Sequence, residues 1–290
     1  MPELPEVEGV VRALAPVAIG RTILKVIISD VVIESKAQGK EAVLKGMTTD
    51  QFVKNMVGMK ITDLTRRSKY IYIALQREGI DYLLVSHLGM SGAWFTVNSI
   101  DEIVESKFRR HIHVIFEMTD GGLLVYSDIR RFGELRLIDR EADHPPLLKM
   151  APEPFDGDAC GHFIDFALQP KYAKRAIKDV IMDGHVISGC GNIYATEALY
   201  RMKIHPGRKA ERISLKRKRE LFNVIVEVLQ ESIDAGGSTI SDYRNINGEA
   251  GTMQNRLEMY GRKNCPACNN DTKSMKIAGR TSVYCPRCQR

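Results

Sequence analysis

The first half of the chain alternates short apolar runs with polar turns. Val7, Val11 and Leu14 recur at helical spacing after Pro5, so 5–15 should form an amphipathic helix with one buried face. Six segments rich in β-branched and aromatic residues then read as strands: 22–29, 69–75, 82–87, 111–118, 123–127 and 134–138. Many short strands separated by turn signals favour an antiparallel sandwich or barrel.

The second half has a helical period. Helices are predicted over 171–183, 192–202 and 214–235, with glycine-rich breaks between them. Between the halves, 141–154 contains four prolines and fits neither a helix nor a strand, so it is interpreted as a linker. The pattern therefore predicts a β-rich part followed by a helical part.

The C-terminal region contains two C-x-x-C pairs, Cys265 with Cys268 and Cys285 with Cys288, separated by sixteen residues. This is the spacing of a four-thiolate zinc ribbon, in which a β-hairpin joins two metal-binding turns. Two disulfides are the alternative. We see no apolar signal segment and no apolar run long enough to span a membrane, so a reducing cytoplasmic location favours the metal. Four thiolates complete the coordination shell of one Zn²⁺, which makes its expected role structural.

Charge is distributed unevenly along the 290 residues. The net charge is +6, but 201–290 hold 18 Lys and Arg against 9 Asp and Glu, while 1–200 carry a slight negative excess. A basic part joined to a near-neutral part suggests that a polyanion is bound by one part and processed by the other. A solvated lysine-rich surface is the simpler alternative.

The second residue is proline, and removal of Met1 would leave its secondary amine as the chain terminus. An α-amine has a pKa near ~8, so roughly a tenth is unprotonated at neutral pH. Such an amine can attack an electrophilic sugar carbon and form a Schiff base without a cofactor. Glu3 and Glu6 can exchange the protons that this chemistry moves. The alternative is an ordinary helix start, where proline and acidic residues are both favoured.

Six motifs now stand in order along the chain. They are PELPEVE at 2–8, SKY at 68–70, HLGMSG at 87–92, DIRRFG at 128–133, GNIY at 191–194 and the paired cysteines. Together they resemble the bacterial formamidopyrimidine-DNA glycosylases from end to end. The resemblance implies an α+β multidomain protein: an antiparallel β-sandwich with an N-terminal helix, a helix–two-turn–helix domain and a zinc-ribbon finger.

The resemblance also assigns a role to each part of the chain. It implies a catalytic domain over 1–140, a linker over 141–155, a DNA-binding domain over 156–245, and a recognition loop with a zinc finger over 246–290. The expected protein is a monomeric, cytoplasmic, nucleoid-associated bacterial enzyme of base excision repair that binds damaged double-stranded DNA. It would remove 8-oxoguanine and formamidopyrimidines through a Schiff base, followed by β- and δ-elimination.

Individual residues receive roles from the same resemblance. Pro2 attacks C1′ of the damaged nucleotide, Glu3 moves protons around the sugar, and Lys69 binds a phosphate and assists elimination. Arg280, on the zinc-ribbon hairpin, grips a phosphate beside the lesion. The other predicted DNA contacts are Met90, Arg130 and Phe132, which fill the space of the flipped nucleotide, together with His111, Asn192 and Glu6.

Alternatives remain open. A related enzyme, endonuclease VIII, acts mainly on oxidised pyrimidines, although it typically begins Pro-Glu-Gly-Pro, unlike this chain. A catalytically silent lesion-binding protein would result if Met1 were retained, because the nucleophilic amine would become an amide. Ala173 stands where some members have a DNA-contacting lysine, and the loop 245–251 is variable among relatives, so lesion preference is not determined.

Overall fold

The computed structural model describes residues 2–238 and 251–290, and the chain divides into two units. Within the described residues, the first unit comprises 2–147 with 236–238 and 251–252, and the second comprises 148–235 with 253–290. The chain thus returns to the first unit after its last long helix. The domain boundaries expected from the sequence stay predictions.

The helices are α1 Leu4–Ala18, α2 Asp30–Ala37, α3 Thr49–Met56, α4 Ser106–Arg109, α5 Ala159–Leu168, α6 Pro170–Ala173, α7 Ile177–Ile181, α8 Asn192–Arg201 and α9 Leu215–Asp234. The strands are β1 Ile23–Ile28, β2 Val43–Leu44, β3 Lys60–Arg67, β4 Tyr70–Arg77, β5 Ile80–His87, β6 Gly92–Val97, β7 Ile112–Met118, β8 Leu123–Asp128, β9 Glu134–Ile138, β10 Lys273–Ile277 and β11 Arg280–Tyr284.

Two sheets and α1 share the core of the first unit. One sheet has the order β1-β7-β8-β6 and the other β2-β9-β5-β4-β3. Ile73 of β4, Phe116 of β7 and Leu14 of α1 are buried in one hydrophobic cluster, so the sheets face each other across it. The predicted antiparallel sandwich is confirmed, except that the short strand β2 pairs parallel to β9, with Val43 opposite Glu134.

The second unit is helical and ends in the hairpin β10–β11. The predictions 192–202 and 214–235 are confirmed as α8 and α9 to within one residue at each end. The prediction of one helix over 171–183 is wrong, because α6 and α7 are separate. Ala176 pairs there with Lys209, and the Ile177 N–H donates to the carbonyl of Arg208 at 2.7 Å. These tertiary backbone bonds replace the bonds that would continue the helix.

Candidate functional site

The predicted nucleophile lies at the start of α1. Pro2 is buried, and Glu3 is 3% exposed and precedes the first helical residue in an extended conformation. The positive end of the helix dipole therefore lies beside Glu3. The structure thus brings the predicted amine and the predicted proton carrier together in a buried environment.

Glu6 holds this terminus in place. Its side chain is 1% exposed, and one carboxylate oxygen accepts the Glu3 N–H at 2.8 Å. The other oxygen accepts the N–H of Ser238 at 2.7 Å. Both oxygens are thus engaged by backbone donors, which favours a positioning role for Glu6 in place of the DNA contact expected from the sequence.

Lys69 occupies the tip of the hairpin between β3 and β4, one position before the strand in which the sequence placed it. Ser68 beside it has a φ of 56°, the left-handed conformation that such two-residue turns require. Burial, assisted by the charges of Lys69 and His144 and opposed by those of Glu134 and Asp128, lowers the pKa of His87 to about 4. Lys69 therefore presents its charge close to the buried end of β5.

Two loops carry the three predicted void-filling residues. Met90 follows β5, while Arg130 and Phe132 follow β8. Phe132 is 61% exposed, and the Arg130 guanidinium lies 4.8 Å from its ring centre. An exposed phenylalanine stacked with an arginine is a poor core residue, and this arrangement supports insertion between bases.

The two loops approach closely at Gly89. A Cβ there would lie 2.5 Å from the carbonyl carbon of Phe132, so only glycine fits this contact. Between the loops lies Asp128, which is fully buried and accepts hydrogen bonds from Ser91 Oγ at 2.7 Å and from the Gly133 N–H at 2.7 Å. This carboxylate lies within the DIRRFG motif, for which only Arg130 and Phe132 were predicted as site residues.

His111 is half-buried in the turn between α4 and β7. Its Nδ1 lies 2.6 Å from the carbonyl oxygen of Lys107, which identifies Nδ1 as the protonated nitrogen. Its backbone carbonyl accepts bonds from the Asp128 N–H and from Ser127 Oγ. The residue is therefore held firmly beside the loop that carries Arg130.

In the second unit, Asn192 and the Arg280 hairpin lie together. Asn192 opens α8, and its side-chain amide donates to the carbonyl of Thr281 at 3.1 Å. Arg280 directly follows the turn Ala278–Gly279, in which both residues have positive φ, and it is exposed. An exposed guanidinium and a helix N-terminus side by side suit a phosphate.

The four predicted metal ligands form one cluster. The Sγ atoms of Cys265, Cys268, Cys285 and Cys288 all lie within 4.8 Å of one another, with 3.5 Å between Cys268 and Cys285. In a tetrahedral zinc site with Zn–S bonds of about 2.3 Å, the sulfurs are about 3.8 Å apart. The donor set and its spacing therefore fit a structural metal, and the six cysteines form no disulfide.

A buried glutamate on α8, which the sequence analysis did not single out, holds the chain before this cluster. Glu197 is fully buried, and its carboxylate accepts the backbone N–H groups of Glu258 at 2.6 Å, Met259 at 3.0 Å and Tyr260 at 2.7 Å. Burial raises the pKa of Glu197, and the three N–H donors oppose that shift. The hydroxyl of Tyr200, one turn further along α8, lies 3.5 Å from Cys265 Sγ.

The predicted site residues thus fall into two groups. The first unit contains Pro2, Glu3, Lys69, Met90, His111, Arg130 and Phe132. The second unit contains Asn192, Arg280 and the four clustered cysteines. The loop 245–251 lies outside the described residues, apart from Gly251. In the described part of the chain, no helix has the length and apolar character needed to cross a membrane.

Comparison with known proteins gives one consistent answer over the whole chain. Three family models match: the formamidopyrimidine-DNA glycosylase N-terminal domain at 1–135, the H2TH domain of the same enzyme at 150–244, and a zinc finger found in FPG and IleRS at 263–290. Formamidopyrimidine-DNA glycosylases of an Exiguobacterium species and of Geobacillus kaustophilus are each 37% identical, over 100% of this chain and 99% and 100% of theirs.

Solved structures agree. A mutant of Lactococcus lactis FPG, crystallised with a Fapy-dG containing DNA, matches with a TM-score of 0.82 and 32% identity over 100% of both chains. The MutM (FPG) protein of Thermus thermophilus matches with a TM-score of 0.81 and 33% identity over 99% of this chain and 98% of that one. The resemblance read from the six motifs is therefore confirmed.

Proposed function

The chain belongs to the formamidopyrimidine-DNA glycosylase family of DNA-repair enzymes, and we propose that it is a bifunctional glycosylase and AP lyase acting on oxidised purines in duplex DNA. The observation that carries the proposal is the buried N-terminus, where Pro2 and Glu3 lie at the positive end of α1 and Glu6 fixes the Glu3 backbone. The expected substrates are 8-oxoguanine and formamidopyrimidine lesions.

The proposed reaction begins when the Pro2 secondary amine attacks C1′ of the damaged nucleotide. A C1′–N bond to proline forms, the bond to the base breaks, and the base leaves with a proton. Glu3 donates a proton to the sugar oxygen as the ring opens to an iminium ion. The iminium acidifies C2′, so loss of a C2′ proton expels the 3′ phosphate, and a second elimination expels the 5′ phosphate.

Other side chains would hold the DNA during these steps. Lys69, at its hairpin tip, is proposed to bind a phosphate beside the lesion. Met90, Arg130 and Phe132 would occupy the space left by the extruded nucleotide, since flipping costs a few kcal/mol that wedge contacts can offset. His111, Asn192 and Arg280 are proposed as further DNA contacts. The basic character of 201–290 supports this division of labour.

We assign one structural zinc ion to the four cysteines. Four thiolates leave no open coordination position, so the metal would fold the ribbon and take no part in bond breaking. Its effect on DNA binding would act through the hairpin that carries Arg280. A monomeric, cytoplasmic, nucleoid-associated enzyme remains the expectation.

Borohydride trapping tests the proposal. A duplex containing 8-oxoguanine is mixed with the purified protein and sodium borohydride, and the expected product is a covalent protein–DNA adduct. Peptide mapping should locate the adduct at Pro2, because reduction of the iminium leaves a stable amine. Intact-mass measurement establishes in the same sample that Met1 has been removed.

The controls separate the alternatives. Pro2→Gly retains an α-amine and should still be trapped, whereas a preparation that keeps Met1 should not. Undiminished trapping with Met1 retained contradicts the mechanism, and no adduct with any lesion contradicts the activity. A parallel duplex with an oxidised pyrimidine tests substrate class, since faster cleavage there would exclude the purine preference.

A further inference from the structure

The Asp128 carboxylate connects the two loops that carry the void-filling residues. One of its oxygens accepts the hydroxyl of Ser91 at 2.7 Å and the Arg130 N–H at 3.1 Å. The other accepts the Gly133 N–H at 2.7 Å. The side chain is fully buried, so water does not compete for these bonds.

The serine hydroxyl closes the network. Ser91 Oγ, besides donating to Asp128, accepts the Arg130 N–H at 2.9 Å, and its side chain is also buried. The loop that presents Met90 is thereby bonded to the loop that presents Arg130 and Phe132. Nearby, Arg131 is held at a φ of 56°, a conformation that costs a non-glycine residue energy and persists where its surroundings impose it.

We propose that Asp128 is a positioning residue for extrusion of the damaged nucleotide, holding Met90 and the Arg130–Phe132 pair as one preformed wedge. The inference rests on the proposed function. A wedge inserts between stacked bases only when its parts enter together. If the loops were uncoupled, binding would have to order them, and the entropy lost would offset part of the free energy by which wedge contacts stabilise the extrahelical base. Because Asp128 orders both loops in the free protein, this entropy is not lost on DNA binding.

An amide cannot accept all the bonds that the carboxylate accepts. Two of the donors to Asp128 are backbone N–H groups, Arg130 on one oxygen and Gly133 on the other. In Asp128→Asn the NH₂ group faces one of these N–H groups, whichever way the amide is turned, although the Ser91 hydroxyl can rotate and accept from it. The substitution therefore removes at least one backbone bond of the network while conserving volume.

Single-turnover kinetics on two substrates test the inference. Asp128→Asn is compared with wild type on a duplex with 8-oxoguanine and on the same duplex with a preformed abasic site, which has no base to unstack. We expect the loss of rate on the lesion to exceed the loss on the abasic site at least tenfold. Phe132→Ala serves as the reference wedge variant, and the double variant should lose less than the product of the two single effects.

Ser86→Ala is the matched control. Ser86 is fully buried in the same sandwich, and its hydroxyl accepts the indole N–H of Trp94 at 3.1 Å, a bond between β5 and β6 that does not involve Asp128. It should lower thermal stability as Asp128→Asn does, yet leave the ratio of the two rates within about twofold of wild type, because that ratio reports the extrusion step. A merely structural role for Asp128 would give the same result as this control.

The outcomes are decisive in both directions. A folded Asp128→Asn protein with the wild-type ratio overturns the inference. If that variant does not fold, Ser91→Ala replaces it, since it removes only the hydroxyl. A threefold or larger shift of the ratio then supports the inference, and an unchanged ratio overturns it. Failure of the proposed function looks different, because wild type would then cleave neither substrate.

Discussion

Replacing Glu197 by glutamine tests how the zinc ribbon is attached to α8. The buried carboxylate accepts three backbone N–H groups, two on one oxygen from Met259 and Tyr260 and one on the other from Glu258. Glutamine fits the same volume, but its NH₂ group must face at least one of these donors. One bond is then lost, and the remaining two lose their charge assistance.

The size of the effect follows from these bonds. A hydrogen bond to a charged group contributes about 1.5–3 kcal/mol and a neutral one about 0.5–1.5 kcal/mol, so replacing three charge-assisted bonds by two neutral ones should cost about 4 kcal/mol. The segment that it holds leads directly to Cys265. Because zinc binds only the folded ribbon, and a ribbon of this kind is expected to be unfolded without metal, the apparent zinc affinity should fall by up to the same free energy, roughly a thousandfold.

Competition with a chromophoric chelator measures this affinity. Glu220→Gln, at an exposed position of α9, removes the same charge without a buried acceptor and should retain zinc like wild type. Urea unfolding of the β-rich part should be unchanged in both variants. Zinc retention by Glu197→Gln equal to that of wild type would refute this account of the attachment.

Two further predictions concern the metal and pH. Chelation of zinc should abolish DNA binding while the β-rich part stays folded, because the metal closes the hairpin that carries Arg280; full binding by demonstrably metal-free protein contradicts this. Burial lowers the pKa of His87 from 6.5 to about 4, so the unfolded chain takes up this proton first on acidification. The contribution of neutral His87 to the free energy of unfolding should be complete above pH 6.5. It should be lost as the pH falls towards 4, by up to roughly 3 kcal/mol. Thermal melts between pH 7 and 4.5 should show a smaller decline for His87→Gln, and an equal decline would contradict this assignment.

Periodicity predicted those elements whose environment is simple. The apolar faces of α1 and of the long helix α9 could be recognised in the sequence because each helix buries one side only. The strand β6 was missed, since its first four residues are all buried and show no alternation. The break between α6 and α7 depends on a backbone pairing with Lys209, more than thirty residues away, which local spacing does not contain.

The same limit applies to the candidate site. Motif resemblance assigned roles to Pro2 and Arg280, whose proposed chemistry is carried by the residue itself. It gave no role to Asp128 or Glu197, because each acts through backbone N–H groups that only folding brings near. A sequence displays side-chain types but not the backbone donors around them, and carboxylates that organise a loop are therefore indistinguishable from surface acids.

The bond between Glu6 and the Ser238 N–H has a consequence for synthesis of the enzyme. The two residues are 232 positions apart, so the ribosome makes the proposed reactive terminus first and this supporting residue late. For most of translation, one oxygen of Glu6 in the nascent chain lacks this donor. The full support of this terminus is assembled only when the chain has passed α9, so the proposed DNA-cleaving chemistry would begin only near completion of the polypeptide.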